Sequence, residues 1–145
     1  MVSRSDDPRR VVDEFWRVMN TNDFRAASDF LHEEFVLEWP QSGERIRGRE
    51  HFVAVNEQYP TDGTWYFTVH RTLVDDPEVI TEVTVTDGSQ TARAITFTTV
   101  RDGKIAFQTE YWPDPFEPPS WRSQWVETMV QPEGPAGTWD PKRSP

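Results

Sequence analysis

Residues 91–116 read TARAITFTTVRDGKIAFQTEYWPDPF, and their alternation decides the fold class. Two long β-branched and aromatic runs, Thr91 to Arg101 and Lys104 to Trp112, flank the pair Asp102-Gly103. A Gly-containing pair between such runs supplies the positive φ of a two-residue hairpin. Towards the N-terminus the period of two continues through Trp65 to Val74 and Glu78 to Thr86, with turns at Asp75-Asp76-Pro77 and Asp87-Gly88-Ser89. Four hairpin-linked strands make an antiparallel meander.

Before Pro60 the period is helical. Asp6 or Asp7 caps a helix from Pro8, with Val11, Val12, Phe15, Trp16 and Met19 on one face. A second helix begins near Asp23 and turns Phe24, Ala27, Phe30 and Leu31 inward. Phe35 to Trp39 reads as a short strand ended by Pro40, with Gln41-Ser42-Gly43 as a loop, and a third helix spans Arg49 to Gln58 with Phe52, Val55 and Tyr59 inward. Helices followed by a run of strands is the α+β pattern, N-terminal helices packed on one curved antiparallel sheet.

A length of 145 residues fits one domain. Residues 1–7 read as a flexible leader, 8–116 as the domain, and 117–145 as a Pro-rich extension; eight of the twelve prolines lie from Pro113 onward. In the extension, Ser120 caps a short helix carrying Trp121, Trp125 and Met129, expected to pack on the domain or a partner subunit, and the last dozen residues read as an extended or disordered arm.

The formal charge of −10 argues against nucleic acid and against an anionic membrane surface, both of which need basic side chains. No apolar run has the ~18 residues of a membrane span, and the charged start has no signal-peptide core, so a cytoplasmic protein is expected. Absence of cysteine excludes disulfides and thiol nucleophiles. His32-Glu33-Glu34 lacks the i, i+4 histidine pair of a zinc helix, and neither a phosphate loop, a G-x-S-x-G elbow nor a dinucleotide fingerprint is present, so no metal and no cofactor are expected.

Uninterrupted alternation from the Asp102-Gly103 turn puts Arg93, Ile95, Phe97 and Thr99 on one face with Ala106, Gln108, Glu110 and Trp112. Ile80, Glu82, Thr84, Tyr66, Thr68 and His70 join them. The opposite face, Phe67, Val69, Val83, Val85, Ala92, Ala94, Thr96, Thr98, Val100, Ile105, Phe107, Thr109 and Tyr111, is smooth and uncharged. Aromatic walls with a few converging charges suit a ligand pocket, and a smooth face left uncovered suits a homodimer through the sheet. On this reading His70, Glu82, Arg93 and Glu110 form an acid/base cluster led by Glu110. The same residues also read as a cross-strand ion-pair ladder.

The segments FWRVMNTNDFRAASDFLHEEFVLEWP, SGERIRGREHF and VRDGKIAFQTEYW, followed by an Asp, resemble the nuclear transport factor 2-like superfamily, and within it SnoaL-like polyketide cyclases and ketosteroid isomerase-like proteins. The resemblance covers residues 8–116 and implies a cone-shaped α+β barrel enclosing a pocket. Ketosteroid isomerases use an Asp base with a Tyr and a protonated Asp as oxyanion donors. Phe15 stands at the Tyr position, Trp39 at the base position, and the strand Thr91 to Arg101 has no carboxylate, so that machinery is absent. Limonene epoxide hydrolases of the same fold use an Asp-Arg-Asp arrangement; Arg93 has a suitable strand, but Ile95 stands two residues on. SnoaL-like cyclases place an acid/base Asp near the end of the last strand, where Asp114 is the nearest match with Pro113 intervening after Trp112, and the resemblance puts Phe15, Trp39 and Trp112 at the pocket.

The expected site therefore comprises Glu110, Arg93, Glu82, His70 and Asp114 for chemistry, and Phe15, Trp16, Trp39, Phe52, Tyr59, Tyr66, Phe97 and Trp112 for binding. The expected function is cofactor-independent acid/base catalysis, as a cyclase, isomerase or lyase, on a hydrophobic small molecule. The alternatives are a non-catalytic binding protein for such a molecule, or a dimeric interaction domain.

Overall fold

The computed structural model describes residues 7–129 and the pairing of two short strands, Glu133–Gly134 and Gly137–Thr138; most of the leader and most of the last dozen residues lie outside the described residues. Helix α1 (Pro8–Met19) starts where Pro8 suits the first turn and the Asp7 carboxylate accepts from the Arg9 N–H at 3.1 Å. Its buried face is the expected one: Val11, Val12, Phe15, Trp16 and Met19. Helix α2 (Phe24–Ser28), capped by Asp23, is shorter than its periodicity suggested. Leu31 is buried as the first residue of strand β1 (Leu31–Trp39), so Phe30 and Leu31 do not lie on a helical face.

Strand β2 (Glu44–Arg47) was not anticipated, because Ile46 is its single apolar residue. Gly48 follows at φ +88°, a conformation that a Cβ would strain, and opens α3 (Arg49–Gln58). Strands β3 (Tyr66–Asp75), β4 (Glu78–Thr86), β5 (Thr91–Arg101) and β6 (Lys104–Tyr111) complete the meander. Asp102 and Gly103 both have positive φ, as a type I′ turn demands.

The sheet order is β2-β1-β6-β5-β4-β3. β1 runs parallel to β6 while every other pair is antiparallel, so the sheet is mixed rather than antiparallel, and it stays open with β2 and β3 at its edges rather than closing as a barrel.

One inserted residue overturns the expected division of faces. Val100 pairs with Ile105, but Thr99 pairs with Phe107, which leaves Ala106 as a β-bulge. Beyond it every β6 side chain changes side. Gln108 and Glu110 join Thr98 and Thr96 on the inner face, and Phe107, Thr109 and Tyr111 join Thr99, Phe97 and Ile95 on the outer one. The smooth face is also the covered one, since Val79, Val83, Val85, Val100 and Ile105 share one core with α1 residues Val12, Phe15 and Trp16. That face is therefore unavailable to a second subunit, and the mixed face carrying Arg93 and Glu82 points outward.

Two asparagines fix the edge strand to the helices. The Asn20 amide donates to the Phe67 carbonyl and accepts from its N–H, both at 2.8 Å, and Asn22 does the same for Trp65. Each side chain substitutes for a neighbouring strand, and Asn22 can do so because Asn tolerates its φ of +61°. In the C-terminal extension, Ser120–Trp125 is a 3-10 turn with Pro119, not Ser120, at the capping position. Trp121, Trp125 and Met129 stay exposed and do not pack on the domain.

Candidate functional site

Between the helices and the inner face lies a cavity of about 450 Å³, within the range of small-molecule sites. α1 contributes Phe15, Trp16 and Met19, α3 contributes Phe52, Val55 and Asn56, and Tyr59 follows at its C-terminal cap. The sheet side supplies Leu37 and Trp39 from β1, Phe67 from β3, Gln108 and Glu110 from β6, and Trp112 just beyond it. Gln41, Ser42, Glu44 and Asp114 are exposed at the mouth.

Glu110 is the buried carboxylate of this cavity. Its residue is 7% exposed, and the Ala106 bulge is what turns it inward. Trp39 Nε1–H donates to Glu110 Oε1 at 3.0 Å, and the Thr96 hydroxyl donates to Oε2 at 2.6 Å. Burial raises the carboxyl above its ordinary value, and the opposing pull of the Thr96, Trp39 and Trp112 side chains does not cancel it. Burial likewise raises the Tyr59 phenol, which stays a neutral donor. Local pairing holds the surrounding wall in place. The Gln41 side chain donates to the Trp112 carbonyl at 3.0 Å and accepts from its N–H, and Gln108 Nε2 donates to Thr98 Oγ1 at 3.3 Å.

The expected four-residue cluster does not form. Arg93 donates to Glu82 at 2.6 Å, and Arg71 donates to the other Glu82 oxygen at 2.8 Å. These three make a ladder on the outer face, and the two arginines hold the Glu82 carboxyl below its ordinary value. His70 meets Thr84 Oγ1 at 2.6 Å on the same side. The sheet separates all of them from Glu110. Tyr66 is exposed and Phe97 packs against Tyr111 outside, ring centroids 6.2 Å apart, so neither lines the cavity. Phe15, Trp16, Trp39, Phe52, Tyr59, Trp112, Glu110 and Asp114 do line it.

Trp65, Met19, Phe67 and Gln90, which are not among the expected site residues, also line the cavity, together with Gln108 from the face expected to form the pocket. Phe67 could have been found by assigning the uncharged face to the helices. Trp65 could not, because the clamp that places it comes from Asn22, forty-three residues away. Among the described residues no group of three His, Asp or Glu could hold a metal ion, and no helix is long and apolar enough to cross a membrane.

A SnoaL-like domain model matches residues 12–108. A candidate ketosteroid isomerase from Kribbella flavida DSM 17836 is 29% identical with a TM-score of 0.80, the match covering 92% of this chain and 96% of that one. An NTF2-like protein of unknown function from Burkholderia xenovorans LB400 is 32% identical with a TM-score of 0.72, covering 88% of this chain and 98% of the other. An epoxide hydrolase of M. tuberculosis, 23% identical with a TM-score of 0.60 over 72% of this chain and 80% of that one, shares the fold. No curated protein matches the chain. With two-thirds of its length inside the family model and its fold shared with these neighbours, the chain belongs to the SnoaL-like domain family of the nuclear transport factor 2-like superfamily.

Proposed function

We propose that the chain is a cofactor-independent acid/base enzyme, acting as a cyclase, isomerase or lyase on a hydrophobic small molecule, with Glu110 as its proton-transferring group. The observation that carries this reading is the buried Glu110 carboxyl facing an aromatic cavity, with its ionisation shifted upward. A carboxyl so displaced gives up or takes a proton nearer neutral pH than an exposed one, which is what general acid/base work requires. Trp39 occupies the position where the isomerases carry their base, and here its indole N–H holds the carboxyl of β6 instead. The acid/base function thereby moves from β1 to β6. The Tyr59 hydroxyl is the neutral donor for an oxygen of the substrate, and Asp114 at the mouth is the second carboxylate.

Deuterium uptake from heavy water into a panel of hydrophobic ketones tests this without knowledge of the natural substrate. The wild-type protein exchanges the protons next to the carbonyl, and Glu110→Gln slows that exchange by about 10²–10⁴-fold. Equal rates in the two proteins would sink the assignment.

One observation favours the alternative, a binding protein without chemistry. Both Glu110 oxygens already accept hydrogen bonds, as they would in a structural wall. On that reading ligands bind to both proteins and neither one exchanges.

We also propose that two copies pair through the outer sheet face, where Phe97, Phe107 and Tyr111 form an apolar strip beside the Arg71–Glu82–Arg93 ladder. A monomeric mass in sedimentation at micromolar concentration would refute it.

A further inference from the structure

The cavity wall has an unbalanced electrostatic composition. Three acidic side chains line it, Glu110 inside with Glu44 and Asp114 at the mouth, whereas no lysine, arginine or histidine is among the described residues that do so. Of the basic groups on the strands, Arg71 and Arg93 lie beyond the sheet and are bound to Glu82, Arg45 is paired with Glu38, Arg101 with Glu34, and Lys104 donates to the Asp29 carbonyl. Much of the remaining wall is aromatic, including four indoles, Trp16, Trp39, Trp65 and Trp112.

Both features select the same charge. The face of an aromatic ring is negative and attracts cations, indole most strongly. A carboxylate or phosphate ligand would enter a site with acidic groups and no counter-charge, which costs binding energy and rejects it. The formal charge of −10 adds a field of the same sign around the mouth. Trp39 brings the N–H edge of its indole to the Glu110 carboxyl, and Trp112 lines the same cavity, so aromatic side chains and the acid share one wall.

We propose that the ligand of this cavity is a hydrophobic ammonium compound, whose tertiary or quaternary nitrogen sits by Trp39, Trp112 and Glu110 and whose apolar body lies against Phe15, Phe52 and Phe67. The ligand class rests on the reading of the cavity as a binding site and adds the sign of charge. A cation of this kind needs no proton from the wall in order to bind, so the inference holds for an enzyme and for a carrier.

Three probes of nearly one shape separate the two claims: benzyltrimethylammonium, its uncharged carbon isostere neopentylbenzene, and the anion benzylsulfonate. Each is titrated into the full chain, with tryptophan fluorescence and calorimetry as readouts. The ammonium is expected to bind about tenfold or more tightly than the hydrocarbon, and the sulfonate not at all. Equal or tighter binding of the hydrocarbon or the sulfonate overturns the ligand class and leaves the cavity as a binding site. Failure of all three to bind overturns the cavity reading, and the ligand class with it. In Trp112→Leu, affinity for the ammonium should fall by about tenfold more than affinity for the hydrocarbon. An equal fall would mean that the ring is only an apolar wall, and would overturn the cation-binding role.

Discussion

Replacing Glu110 by Gln should stabilise the protein above neutral pH, whereas replacing it by Ala should destabilise it throughout. In Glu110→Gln the amide oxygen still accepts from Trp39 Nε1–H, and the amide nitrogen donates to the Thr96 hydroxyl, which reverses its role. The network survives without a charge. The folded-state carboxyl has a raised value, so the stability it contributes is fully present below the ordinary glutamate range and is lost as pH rises through the folded value. Each unit of displacement costs the wild type about 1.4 kcal/mol once the group ionises. Glu110→Gln should therefore match wild type near pH 4 and exceed it increasingly as the pH rises through the folded value of the carboxyl.

Glu110→Ala instead leaves the Trp39 and Thr96 donors buried without their acceptor, at about 1–3 kcal/mol each. Urea unfolding of the three proteins at pH 4, 6 and 8 reads both effects, and other titrating groups cancel in the differences. The reasoning fails if Glu110→Gln is as unstable as Glu110→Ala at pH 8, or if its difference from wild type does not change with pH.

Glu82→Gln, which breaks the outer ladder, should cost no more than about 1 kcal/mol in thermal unfolding and leave probe binding unchanged; an effect on binding would mean that the ladder communicates with the cavity. Asp87 accepts from the Thr61 hydroxyl at 2.6 Å and from the Ser89 and Gln90 N–H groups, and these bonds outweigh burial to hold its carboxyl well below the usual range. Its stabilisation is present above the unfolded value, about 3.9, and is lost as pH falls through the folded one, so Asp87→Asn should flatten the loss of stability below pH 4 in urea unfolding. Asn22→Ala removes both bonds to Trp65 and should cost about 1–3 kcal/mol in denaturant unfolding, with weaker probe binding because Trp65 lines the cavity.

The turns and periods of the chain were legible in the sequence because each has a local cause. Asp102-Gly103, the Asp7 cap and the face of α1 are written in adjacent residues. The two sides of the sheet were not, since one bulged residue, Ala106, reverses the phase of everything after it and a strict alternation has no mark for an insertion. Glu82 and Arg93 held a usable clue. Charged residues alternating with apolar ones in an antiparallel meander belong on its solvent side, and giving that side to solvent would have put the smooth face under the helices. Glu110 is legible as a carboxylate of the pocket wall although the neighbours expected beside it lie on the other face, and its adjacency to Trp39 depends on the parallel pairing of β1 with β6, a contact between residues 71 apart.

The central claim is that Glu110 presents a carboxyl with raised ionisation to the cavity. Carbon-detected NMR of the protein labelled at the glutamate carboxyl carbons, with Glu110→Gln to identify the resonance, measures this directly. The expected result is a Glu110 signal that titrates above the ordinary glutamate range. A Glu110 signal that titrates within that range, or below it, would contradict the claim.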